Sequence, residues 1–150
     1  MSVPKGKRSQ SKVEFEMIYF TLADAVDNLV EHQFFADGLL AEKNKVFMDI
    51  RCKTLERLTD DLLYYIKIAN SIYPKCMAEW EERRVSMGKA IGCCFAILTN
   101  LQRIMTRLRV PDTKYVVYIK TVDRMINSLK AWRQSDWKLK GKLEGTQNGK

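Results

Sequence analysis

This chain lacks a second histidine, any cysteine pair at metal-ligand spacing and any glycine-rich phosphate loop, and each absence closes off a class of function. A single histidine, His32, offers no second imidazole for a metal centre and stands near the end of a helix, where it reads as a surface or capping residue. A di-metal bundle needs Glu-x-x-His pairs on facing helices, and the sequence contains none. Cys52, Cys76, Cys93 and Cys94 show no C-x-x-C spacing, so they read as small apolar core residues in a reducing compartment. Neither common glycine-rich phosphate loop occurs. The neighbouring acids Asp60-Asp61 and Glu79, Glu81 and Glu82 point in different directions on a helix and do not converge on one ion. The sequence therefore predicts no catalytic residue, no metal, no cofactor and no small-molecule substrate.

Long apolar runs are missing too. No stretch approaches the roughly 20 residues that span a bilayer, so no membrane partner is expected. The basic start leads into SKVEFEMIYF, which carries acids and lacks a small-residue cleavage site, and this does not read as a signal peptide. A cytoplasmic location follows as the expectation.

Charge is what the chain has in abundance, and its placement is uneven. Residues 1–12 carry Lys5, Lys7, Arg8 and Lys12 with no acid. Residues 130–150 carry Lys130, Arg133, Lys138, Lys140, Lys142 and Lys150 against Asp136 and Glu144. The 117 residues between are neutral overall, so the two ends hold the whole formal +8. Within the neutral body, residues 13–61 sum to −6 and residues 62–129 to +6. Cationic arms on a neutral body suit an anionic partner, nucleic acid above all, because each neutralised phosphate releases counterions. Solvated basic tails that aid solubility are the plainer reading of the ends alone.

With 46% hydrophobic residues in 150, the chain can bury one core without staples. The pattern is helical, with no strand signal. Ser11-Lys12-Val13-Glu14 has the form of a capping box and predicts the start of helix one, whose stripe is Phe15, Ile18, Leu22, Ala25 and Leu29, with Gly38 as its stop. A second helix is predicted from about Lys43 to Tyr73 with Phe47, Ile50, Leu55, Leu58, Leu62, Ile66, Ala69 and Ile72 on one side, ended by Pro74. The third carries a seven-residue repeat, Met77, Trp80, Arg84, Met87, Ile91, Cys94, Leu98, Leu101, Met105 and Leu108, broken only by Arg84. After Val110-Pro111-Asp112 a fourth carries Tyr115, Ile119, Val122, Ile126, Leu129 and Trp132. Short connectors predict an all-α, antiparallel up-down-up-down four-helix bundle over residues 11–137, with a basic arm at 1–10 and a flexible basic tail at 138–150.

Several residues carry candidate chemistry for RNA. These are Lys5, Lys7, Arg8 and Lys12 in the first arm, Arg103, Arg107 and Arg109 at the end of helix three, and Lys130, Arg133, Trp137, Lys138, Lys140 and Lys142 at the C-terminal end. Trp137 among lysines can stack a base while its neighbours bind phosphate, or it can simply pack the end of helix four. The arginines of helix three also have an ordinary reason to be there, since a helix C-terminus attracts cations. Gly88 and Gly92 are costly in mid-helix and predict close approach of another backbone, within the bundle or between subunits. Arg84 on the apolar stripe, with Arg83 beside it, reads as an oligomer or partner interface. The acidic and basic halves could also meet between copies, head to tail, and close a ring.

Ser2-Val3-Pro4-Lys5, Lys7-Arg8, Ser11-Lys12 and Glu14-Phe15 resemble the start of the bAvd-like family, the accessory variability determinant proteins of diversity-generating retroelements. The resemblance continues through Ala69-Asn70-Ser71-Ile72-Tyr73-Pro74, Met77, Glu79, Glu82-Arg83-Arg84, Ala90-Ile91-Gly92, Lys114-Tyr115 and Ala131-Trp132-Arg133-Gln134-Ser135-Asp136. It spans nearly the whole chain outside the connector around 36–45 and the end of the sequence, and departs at Cys93 and Phe95, where polar residues are expected. The resemblance implies a bundle that assembles as a pentameric ring or barrel in a prokaryotic or phage-encoded setting. It also implies binding of the element's reverse transcriptase, its template RNA and the complementary DNA/RNA hybrid, in support of adenine-mutagenic copying. Two other readings remain from the residues: a bundle of the kind encoded in ribosomal RNA intervening sequences, and a purely structural oligomer without nucleic acid.

Overall fold

The computed structural model describes the backbone of residues 5–148 and the side chains of residues 16–145. Four long helices account for most of it: α1 (Lys5–Asn28), α2 (Lys45–Ser71), α3 (Met77–Leu108) and α4 (Val116–Asn148). A π turn at Leu29–Gln33 and a last turn at Phe34–Ala36 prolong α1, and 3-10 turns at Glu42–Asn44 and Asp112–Tyr115 lead into α2 and α4. No strand occurs among the described residues, and none of their helices is long and apolar enough to cross a membrane.

Cross-links between helices show their directions. The Tyr19 hydroxyl on α1 donates to the Thr59 carbonyl on α2 (3.4 Å) and Arg51 Nη1 on α2 to Asn100 Oδ1 on α3 (2.6 Å). Trp80 Nε1 on α3 donates to the Asp136 carbonyl on α4 (3.0 Å), and Asn28 Nδ2 on α1 to the Tyr118 hydroxyl on α4 (2.8 Å). Glu16 on α1 also lies 3.9 Å from Lys67 near the end of α2. Early residues of α2 and α3 meet late residues of the next helix, so neighbours run antiparallel and α4 returns to α1. Between them lie Leu22, Leu29, Phe34, Met48, Leu55, Leu62, Met87, Ile97, Leu101, Ile104, Met125 and Leu129, all buried. Each such side chain contributes roughly 1.5–3 kcal/mol when taken out of water.

The helix ends have identifiable causes. Gly38 adopts φ +72°, its amide bonds the Phe35 carbonyl (3.0 Å) and the Leu39 amide bonds the Phe34 carbonyl (2.9 Å). This is a left-handed glycine cap, and Leu39 and Phe34 are both buried beneath it. Asp37 then ties this corner to the start of α4, accepting from Gln33 Nε2 (3.0 Å), the Tyr115 hydroxyl (2.8 Å) and Lys114 Nζ (2.9 Å). Burial alone would raise the Asp37 carboxyl, but these donors outweigh it and hold the group below its ordinary value.

Some expectations need correction. Ser11 lies inside α1, which already begins at Lys5, so the helix does not start at Ser11 and residues 5–10 are helical rather than an arm. At the other end α4 runs to Asn148, so a helix occupies most of the segment expected as a flexible tail from residue 138. Ile50 is 50% exposed and Met48 takes the core position in its place. Cys93 and Cys94 are buried as expected and Cys52 is half-buried, but Cys76 is exposed. Burial pushes the Cys94 thiol up to about 12, with a smaller contribution from Cys93.

Candidate nucleic-acid interface

One end of the bundle, where α3 begins and α4 ends, gathers three tryptophans and three cations, Arg83, Arg84 and Lys140. Trp80 and Asp136 sit opposite one another because α3 and α4 are antiparallel, and the extension of α4 past residue 137 brings Lys140 alongside. Arg83 forms a two-pronged pair with Asp136: Nε lies 2.8 Å from Oδ2 and Nη2 3.1 Å from Oδ1. Its Nη1 donates to the Ile72 carbonyl at the end of α2 (3.0 Å), and its guanidinium stands 5.1 Å from the Trp132 ring centroid. With side chains only 13% and 8% exposed, Arg83 and Asp136 are structural partners that clamp three helices. Burial raises the Asp136 carboxyl, and Arg83 opposes that by charge and hydrogen bonding. The expectation that Arg83 serves a partner interface is corrected, because its guanidinium is engaged within the chain.

Arg84 points the other way. Its guanidinium carbon lies 4.4 Å from the Trp137 ring centroid and 5.5 Å from that of Trp80. Lys140 Nζ lies 4.7 Å from the first ring and 5.4 Å from the second, with a weak 3.6 Å contact to Glu144 one turn on. The two indoles are themselves 5.5 Å apart. Trp80 is buried while Trp137 remains 45% exposed, and Arg84 pairs with no carboxylate among the described residues. The result is an exposed indole with two cations close to its ring, a mix of aromatic surface and charge of the kind that stacks a base and meets its phosphate.

A second cationic group lies roughly 30 Å further along α3, as 1.5 Å per residue from Arg84 to Arg103 dictates. Here Arg107 caps the Phe47 ring of α2 at 4.8 Å, and Arg51 approaches the same ring at 5.8 Å. Arg51 and Phe47 were not singled out by sequence reasoning for this role; their spacing of four on α2 was the available signal, hidden because Phe47 reads as core. Arg109 follows as the left-handed end of α3, φ 54°, with its amide bonded to the Met105 carbonyl. Lys130 stands apart over the exposed Phe95 ring at 5.5 Å. Arg133 is half-buried, and Lys138 and Lys142 are exposed on the last turns of α4. The side chains of Lys5, Lys7, Arg8 and Lys12 lie outside the described residues.

Gly88 and Gly92 face outward on α3, and a methyl group added at either would meet nothing within 4 Å. Close packing inside the bundle is therefore not the reason for these glycines. They share a face with the exposed Val85 and Phe95.

The opposite side of the molecule is acidic. Burial first, then the hydrogen bond and charge of Asp27, with Asp60 and Glu31 beyond, raise the Glu56 carboxyl to about 7. No group of three or more His, Cys, Asp or Glu able to hold a metal ion occurs among the described residues. What the fold and this end of the bundle define is a helical-bundle protein with a segregated cationic, aromatic surface. Comparison with family models, curated proteins and solved structures finds no match.

Proposed function

We propose that this chain is a non-catalytic accessory protein that binds RNA and a reverse transcriptase, as its likeness to the bAvd-like proteins of diversity-generating retroelements suggests. The observation that carries the RNA-binding part is the exposed Trp137 with Arg84 and Lys140 beside its ring. A stacked base at such a platform contributes about 1–3 kcal/mol, and the flanking cations hold its backbone. The bundle does no chemistry; it presents template RNA to the polymerase in the cytoplasm of a prokaryotic host.

In this reading several copies assemble as a ring, five being the number that the resemblance implies. The outward face of Val85, Gly88, Gly92 and Phe95 suits such a contact, because missing side chains let a second helix approach closely. The test is reconstitution with the reverse transcriptase and template RNA of a diversity-generating retroelement. Complementary DNA carrying substitutions at template adenines is expected only when the chain is added. Equal yield and equal fidelity without it would remove the accessory role.

A further inference from the structure

We propose that Arg51 and Arg107, gathered about Phe47 across the α2–α3 seam, form with Arg103, one turn before Arg107 on α3, a binding site for a phosphate group. Phe47 and Arg51 stand one turn apart on α2, and Asn100, Arg103 and Arg107 follow at spacings of three and four on α3. Antiparallel packing brings the two rows together, as the 2.6 Å bond from Arg51 Nη1 to Asn100 Oδ1 shows. Asn100 is itself held, its Nδ2 donating to the Ala96 carbonyl at 2.8 Å, so Arg51 is fixed in place before any ligand arrives. The Phe47 ring supports two of the guanidiniums at 5.8 and 4.8 Å.

Three positive charges sit here without an answer inside the chain. None of the three arginines pairs with a carboxylate among the described residues, and Arg51 Nε is buried there with no hydrogen-bond partner. Burial, and after it the charge of Arg103, pull Arg51 below its ordinary value, so the cations lie close enough to repel. Arg83 is the contrast, because the Asp136 carboxylate lies against its guanidinium. An external anion supplies what Asp136 supplies there. Planar guanidinium forks match phosphate oxygens in pairs, and several forks at one place need more acceptors than a carboxylate or chloride offers.

The site stands on this geometry, and rests on the RNA reading only for the source of the phosphate, which would then be the RNA backbone rather than a free phosphorylated ligand. The experiment titrates the full chain with inorganic phosphate against chloride at matched ionic strength, by calorimetry. Arg103→Gln alters an exposed residue and leaves the fold intact, checked by helicity; Arg51→Lys keeps the charge but loses the fork. Both should weaken phosphate binding about tenfold or more, and Arg124→Gln on α4 should not. Equal binding by Arg103→Gln and Arg124→Gln, or no preference for phosphate over chloride in the unaltered chain, overturns the site. A second arm measures single-stranded RNA affinity against salt. If the phosphate is the RNA's, Arg103→Gln lowers the magnitude of the logarithmic slope by about 0.7. An unchanged slope beside weakened phosphate binding assigns the site to a free phosphorylated ligand. Phosphate binding without any RNA binding leaves the site standing and removes the RNA reading alone.

Discussion

Asp136 and Trp137 are neighbours in sequence with opposite tasks. Asp136 is buried and holds Arg83, while Trp137 faces solvent against Arg84 and Lys140. Removing one member of a buried pair leaves the other charged and unpaired, at a cost of about 3–5 kcal/mol. Asp136→Ala should therefore lower unfolding stability by about that amount in urea, whereas the double change Arg83→Met with Asp136→Leu should recover most of it. A small loss in the single variant would show that water reaches Arg83. Sequence reasoning set Trp137 apart as a candidate stacking residue and favoured Arg84 over Arg83 for an interface, but did not find the pairing of Arg83 with Asp136. Adjacent helical residues differ by about 100° in direction, and which of them faces α4 depends on Asp136, more than 50 positions away.

Elements were legible where their pattern was unbroken. The seven-residue stripe of α3 was readable because Trp80, Met87, Ile91, Cys94, Leu101 and Met105 all bury against neighbouring helices. On α2 Leu55, Leu62, Ile66 and Ala69 of the expected stripe are buried and Met48 replaces Ile50, while Phe47 packs partly buried against the core and carries Arg107 over its ring. The ends were the least legible. The Ser11 signature competes with a helix that already begins at Lys5. Gly141 and Gly145 argue for a frayed tail, yet α4 persists to Asn148, with Leu139, Lys140 and Leu143 half-buried along it. Tertiary contact overrides weak propensity there. The acidic seam of α1 and α2 gives a prediction at this scale. Glu56 binds its proton more tightly folded, at about 7, than unfolded, near the ordinary value of 4.5. The folded state therefore holds more protons between those values, and its stability falls as pH rises through them. Glu56→Gln should flatten that fall and stabilise the protein at pH 8 by something on the order of 1 kcal/mol after solvent screening. Unfolding curves at pH 5 and pH 8 check it; an unchanged difference between the two would show that Glu56 is not the group responsible.

At the scale of the whole molecule the charge separation acquires a shape. The −6 of residues 13–61 falls on α1 and the turns that follow it, since the acids and bases of α2 up to Asp61 cancel. The +6 of residues 62–129 is spread from the end of α2 through α3 to the start of α4. That gives the bundle an acidic side and a basic side, and Phe47 with Arg51 marks where α2 joins the basic one. The cations do not form one continuous band. They concentrate at two places separated along α3, the tryptophan end and the Phe47 seam, and a strand that touched both would follow the length of the bundle. The charged C-terminal segment thereby changes character, from a loose arm to the last turns of a helix that carries Lys140 to Trp137.

Binding of single-stranded RNA by the purified chain, measured across a series of salt concentrations, tests the central claim most directly. With three or more phosphates neutralised, the logarithm of the affinity should fall against the logarithm of salt with a slope of about −2 or steeper. Trp137→Ala should weaken binding about tenfold at every salt while leaving that slope unchanged, since stacking releases no counterions. No binding at low salt, or a slope near zero, would contradict the account.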